Sequence, residues 1–157
     1  SYVEAHRVSL YDLSPQLLGG VFDVVHAVGA PDRFRHPLLA LEALASVTEQ
    51  LLVLDVLTLH GGHPQRAYCE YAPLGSQHAG SATTGAEAAA VWACDMQALT
   101  SMLKARGFER VAEVRREPRG AGSSSGAGGR HMRSLVYAAK PGVQLELRDG
   151  ASASQKK

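Results

Sequence analysis

The stretch His60 to His63, "HGGH", puts two imidazoles three positions apart. With Cys69, His78 and Cys94 downstream, there are enough nitrogen and sulfur donors for a four-coordinate, zinc-type site. The spacings match no compact zinc motif, and a solvated loop is the better reading. A Cys–His nucleophile pair finds no supporting sequence context either. Tyr68, Tyr71 and Trp92 fall in the same region. Such aromatics could stack on a base or another flat acceptor, or they pin the loop onto a sheet. Upstream, Asp32 and Arg33 adjoin in "GAPDR", a pairing that suits a solvated loop better than catalysis. His26 lies inside an apolar run and reads as a core or near-core histidine. Asp55 sits near the end of another such run, where it would touch a substrate or pair at a strand terminus; the second is favoured.

Composition narrows the classes. The 157 residues fit one domain with a sizeable core. Apolar residues make up 45% and charged residues 20%, ordinary for a globular protein. A formal net charge of +1 removes bulk charge as evidence for nucleic acid or a membrane surface, without excluding an RNA substrate. No apolar run approaches the ~20 residues of a membrane span. No basic-then-apolar leader is present, so the expected compartment is the cytoplasm. There the two cysteines are expected to be reduced thiols.

The elements that must position these residues alternate. His6 to Leu10 is a short apolar run that reads as a first strand, and Ser14-Pro15 fits a capped helix start. Gly19-Gly20 breaks the chain. Phe22 to Val28 has the apolar, partly β-branched look of a strand buried on both faces, and it stops at Gly29. His36-Pro37 opens a helix with Leu38, Leu41, Leu44, Ala45 and Val47 or Thr48 at helical spacing. Leu51 to Leu57, "LLVLDVL", follows as a second buried strand, completing a βαβ unit. Residues 58–93 read as loop, with one helical turn expected at Ala86 to Ala90. Asp95 looks like the N-cap of a helix lined by Met96, Leu99, Met102 and Leu103 and closed by Gly107. Arg110 to Glu117 reads as a strand, Arg119 to Gly129 as a flexible connection, and Arg133 to Ala139 as a last strand. Alternation of this kind argues an open α/β sheet, with ligands beyond the carboxyl ends of the strands. A glycine at such an end, Gly29, lets the backbone turn sharply and approach a ligand.

Three segments carry a resemblance: "YDLSPQLLGGVFDVV", "RHPLLALEALASVTEQLLVLDV" and "DMQALTSMLKARGFERVAEV". Together they resemble the later part of class I S-adenosylmethionine-dependent methyltransferases, nearest to the branch that includes bacterial enzymes modifying the tRNA wobble uridine. The likeness covers roughly residues 5–117 and, more weakly, the final strand. It implies a Rossmann-like α/β sheet, truncated at its N-terminus, whose last strand enters antiparallel after a hairpin at 119–129. It would make 1–139 a partial methyltransferase-like domain and 140–157 a flexible tail. It implies S-adenosylmethionine as cofactor, with Ser9, Leu10, Tyr11 and Asp12 beside the adenine and Val28 and Gly29 beside the methionine part. The acceptor would be a small molecule or a tRNA-like base.

Two departures stand out. The family's glycine-rich loop after its first strand is absent, as is the acidic residue that holds the ribose hydroxyls. Where the branch carries a "GVLYH" type sequence, this chain reads "GAPDR", Gly29 to Arg33. Methyl transfer from a sulfonium needs positioning and sometimes removal of a proton, not one obligatory residue. Candidates near the strand ends are His26, Asp32, Arg33, Asp55, His60 and His63. The rival expectation is a non-catalytic methyltransferase-fold subunit that lends an exposed sheet edge to a second copy or a complementing partner. A weaker third is a Rossmann-like enzyme using another nucleotide.

Overall fold

The computed structural model describes residues 3, 5–29, 34–61, 66–72, 91–118 and 131–145. Ser14 caps the first α-helix. Its hydroxyl accepts the Leu17 N–H at 3.3 Å, Pro15 occupies the first turn of α1 (Pro15–Leu18), and Gly19 ends it with φ +77°. That left-handed backbone is open to glycine at no steric cost. β1 (Phe22–Val28) follows, then α2 (Pro37–Val47), then β2 (Thr48–Leu59). The last helical residues pass straight into β2. Thr48 marks the junction, its hydroxyl donating to the Leu44 carbonyl at 2.7 Å.

β1 lies parallel to β2, as a βαβ unit requires. β3 (Cys69–Ala72) and β4 (Val91–Cys94) form an antiparallel ribbon, which joins β2 at the pair Thr58–Cys94. α3 (Met96–Lys104) starts on Asp95, whose Oδ1 accepts the Ala98 N–H at 2.7 Å. Gly107 closes the helix turn with φ +85°. β5 (Arg110–Pro118) and β6 (His131–Ala139) complete the sheet. β6 runs antiparallel to both neighbours and lies between β2 and β5. The expected antiparallel last strand is therefore present, and it occupies the interior of the sheet.

One face of the sheet carries the core. Leu52, Leu54 and Val56 of β2 and Val136 and Ala138 of β6 meet Leu41 and Leu44 of α2, Leu99 and Leu103 of α3, and Phe108. These strand residues alternate along the chain, so they share one face. Burying each large aliphatic side chain stabilises by roughly 1.5–3 kcal/mol.

Several expectations are corrected. His6 to Leu10 forms no strand; the chain passes into a 3-10 turn at Leu10–Asp12, where Ser9 Oγ accepts the Tyr11 N–H at 3.4 Å. A serine bonded to its own backbone favours a turn over a ladder. β1 has the expected bounds but is not buried on both faces: Val24 is 57% and Val28 66% exposed, and only Ala27 is buried. β2 is longer than expected at both ends. Region 58–93 is not all loop, for it holds the end of β2 and the β3–β4 ribbon. The two cysteines are not free thiols; Cys69 and Cys94 stand directly opposite in the ribbon and form a disulfide. Leu38 is exposed rather than buried, the inward face of α2 being Ala40, Leu41, Ala43, Leu44, Ala45 and Val47. The turn expected at Ala86 to Ala90, the connection at 119–129 and the tail beyond 145 lie outside the described residues.

Candidate functional site

The carboxyl end of β1 meets the interior of β2 at Gly29, opposite Asp55. Gly29 has φ +63°, a conformation that L side chains rarely adopt. Its N–H donates to the Asp55 main-chain carbonyl at 3.1 Å, and Val28 faces Asp55 in the register. Arg133, reaching across from β6, donates from Nε to Asp55 Oδ1 at 2.5 Å and from Nη2 to the Asp55 carbonyl at 3.1 Å. A Cβ built on Gly29 would lie 3.5 Å from Arg133 Nη2. One carbonyl thus ties the exit of β1 to the guanidinium of β6. The Arg133 guanidinium lies in contact with the place a Gly29 side chain would occupy, and the left-handed backbone favours glycine there. Asp55 pairs with Arg133 as the favoured expectation had it, but from inside β2 and not at its terminus, because β2 runs on to Leu59.

The segment Ser9–Asp12 docks at the start of α2. The Tyr11 ring meets Phe34 edge-on, centroids 5.5 Å apart. Its phenolic oxygen accepts the His36 N–H at 3.1 Å. Leu10 and Leu13 pack against the core. Gly29 opens the β1–α2 connection and Phe34 lies near its close, so the two segments singled out from sequence flank the same connection. Ser9 Oγ already accepts one internal N–H, but a hydroxyl oxygen has a second lone pair.

Of the remaining candidates, His26 is exposed on the side of β1 that carries Val24 and Val28, which corrects the expectation of a core or near-core histidine; β1 is covered on one face only. His60 Nδ1 is 2.9 Å from Arg116 Nη1. Asp32, Arg33, His63 and His78 lie outside the described residues. The disulfide removes Cys69 and Cys94 as thiolate donors. Among the described residues, no group of three or more His, Cys, Asp and Glu side chains is placed to hold a metal ion.

Sequence reasoning missed a polar chain at the far end of β2. Thr58 and Ser134, both fully buried, have hydroxyl oxygens 2.6 Å apart. Ser134 Oγ donates to Glu113 Oε1 at 2.6 Å. Arg116 donates to the same oxygen from Nε at 2.8 Å and pairs with Oε2. Burial alone would raise the Glu113 carboxyl, yet the hydrogen bonds from Arg116 and Ser134 and the Arg116 charge outweigh it and hold the group below its ordinary value. Glu113 in turn raises Arg116. The i, i+3 placement of Glu113 and Arg116 was visible in "EVRRE", but a strand with a bulge between Glu113 and Arg115 was needed to put both on one face.

Pro37, Leu41, Leu57, Trp92, Leu99 and Met102 help line a small apolar cleft of about 30 Å³. That is far below the ~300–1,000 Å³ of ligand pockets, so the cleft by itself houses no nucleoside.

No family model and no curated protein sequence matches the chain. Solved structures do. The N-terminal domain of EvdMO1 with S-adenosylhomocysteine (SAH) bound matches at a TM-score of 0.58 and 16% identity, over 86% of this chain and 52% of that one. The same domain in the presence of SAH and D-fucose gives 0.57 and 16%, over 85% and 53%. The fold is Rossmann-like. It carries the antiparallel last strand that the resemblance to class I methyltransferases implied, and the chain spans about half the length of the solved domain it matches. Magnesium protoporphyrin IX methyltransferase (ChlM) from Synechocystis PCC 6803 with bound SAH matches more loosely, at a TM-score of 0.42 and 13% identity over 85% of this chain and 49% of that one; that likeness adds nothing to the argument.

Proposed function

We propose that the chain is part of an S-adenosylmethionine-dependent methyltransferase acting on a small molecule or an RNA base. The observation that carries this reading is the left-handed glycine turn at the end of β1, in a fold shared with a domain solved with SAH bound. The residues present fit part of the cofactor. Val28 and Gly29 would meet its methionine part, at the left-handed turn that ends the strand. Ser9, Leu10, Tyr11 and Asp12 would meet the adenine, held in place by Tyr11 on Phe34 and His36. Among the described residues there is no counterpart of the glycine-rich loop or of the ribose-binding carboxylate.

When bound, the cofactor would supply an activated methyl group. The contribution of this chain is positional. Asp55 and Arg133 hold the exit of β1 rigid, so that Gly29 presents backbone to the ligand. Asp55 is engaged by Arg133 and serves here as a positioning group, not as a base. The tRNA wobble-uridine branch is the finer form of this proposal, and the cytoplasm is the proposed location. No helix among the described residues is long and apolar enough to cross a membrane.

A second reading is favoured by a specific observation. Phe22, Val24 and Val28 leave β1 exposed, and β1 pairs only with β2 among the described residues. This suits a non-catalytic subunit whose open edge takes a second copy or a complementing partner. Calorimetric titration of S-adenosylmethionine into the folded, monodisperse chain separates the two. Micromolar binding, ~−8 kcal/mol, weakened at least tenfold in Gly29→Val with folding retained, is the result expected of the enzyme reading. A folded sample that binds nothing sinks that reading and leaves the subunit.

A further inference from the structure

The Cys69–Cys94 disulfide sits where three elements converge. It bridges β3 and β4. Cys94 is also the residue through which the ribbon pairs with β2, opposite Thr58. The next residue, Asp95, caps α3 through Oδ1 and accepts the Tyr68 N–H through Oδ2 at 3.0 Å, while its own N–H donates to the Tyr68 carbonyl at 2.9 Å. The ribbon beyond this base is short, four residues in each strand. A two-stranded ribbon is marginally stable at best by itself. The Tyr71 and Trp92 rings stand opposite each other in it, centroids 4.7 Å apart. Trp92 and Cys94 also line the apolar cleft, and Trp92 Nε1 is buried without a hydrogen-bond partner. That unmet donor is a further cost of keeping the ribbon closed. Both cysteines are only half-buried, within reach of a reagent.

We propose that this disulfide is a redox site which holds the β3–β4 ribbon closed over the apolar cleft, and that a dithiol reductant opens it. One thiolate of the dithiol attacks a cysteine sulfur, breaking the Cys69–Cys94 S–S bond and forming a mixed disulfide. The second thiolate displaces the remaining cysteine. The products are two protein thiols and the oxidised dithiol, so electrons and protons balance. Opening releases the Tyr71–Trp92 contact and exposes the cleft wall formed by Leu57, Leu99 and Met102. A disulfide in a protein of the reducing cytoplasm is typically transient or redox-sensing, whereas in an oxidising compartment it persists. The inference does not depend on methyl transfer.

The test is hydrogen exchange on the full chain, oxidised and after reduction with dithiothreitol, together with emission from Trp92, the single tryptophan. The bridge spans a sequence separation of 25, and losing such a closure is expected to lower local protection on the order of 10²-fold. The expected result is faster exchange at 69–72 and 91–94 and a red-shifted Trp92 emission, with β2 and β6 unchanged. The Cys69→Ser, Cys94→Ser double variant should reproduce the reduced protein without reductant and ignore dithiothreitol. Three results would overturn the proposal. These are equal ribbon exchange in both states, loss of protection throughout the sheet on reduction, or alkylation of both cysteines in the air-oxidised protein without reductant.

Discussion

β1 and β2 are neighbouring parallel strands of similar composition, yet they end in different environments. Leu52 and Leu54 of β2 are fully buried, while Val24 and Val28 of β1 are more than half exposed. β2 has β1 on one side and β6 on the other, and α2 and α3 on its inward face. β1 has β2 alone among the described residues. The difference teaches that an apolar strand sequence states what a strand can tolerate, and its neighbours decide what it receives.

The sharpest way to break this comparison is to empty the centre of the sheet. Leu54→Ala should cost about 2–5 kcal/mol, from lost burial plus the cavity left behind, read as a lower urea midpoint at unchanged slope. A smaller but directed effect comes from the polar chain beside β2. The folded Glu113 carboxyl titrates below its ordinary value of 4.5, so between the two values the unfolded chain binds more protons. The stability Glu113 contributes is therefore complete above pH 4.5 and is lost as pH falls through the lowered folded value. Glu113→Gln should flatten that part of the acid limb in denaturation curves collected from pH 6 to pH 3. The smallest effect belongs to β1. Val24→Thr should change stability by no more than ~0.5 kcal/mol, and a loss comparable to that of Leu54→Ala would mean that the outer face of β1 is covered in solution.

Much of the architecture was legible because it is written locally. Ser14-Pro15, Asp95 and Gly107 announce helix ends through caps that need only neighbouring backbone. The bounds of β1 and the start of α2 follow from a glycine and a proline in the same way. The ribbon was not legible, since four-residue strands are too short for a period to emerge. Its partner strands lie far apart in the chain, with Cys69 and Cys94 at a sequence separation of 25. For the site, Gly29 was singled out by its place after an apolar run, and Asp55 by its charge within one. Arg133 was missed because nothing near it in sequence marks it; its partner is 78 positions away. The Thr58–Ser134–Glu113 chain was missed for the same reason.

By itself the sequence determined an alternating α/β chain, the places where its helices start and stop, and a glycine-marked exit from β1. Those features rest on short-range hydrogen bonding and on backbone sterics, which are set within a few residues. The tertiary structure alone decided that β6 would enter between β2 and β5, that Cys69 would face Cys94, that Arg133 would clasp Asp55, and that β1 would remain exposed. Each of these depends on which strands lie side by side, and pairing across a sheet is settled by the burial available to the whole chain rather than by any one segment.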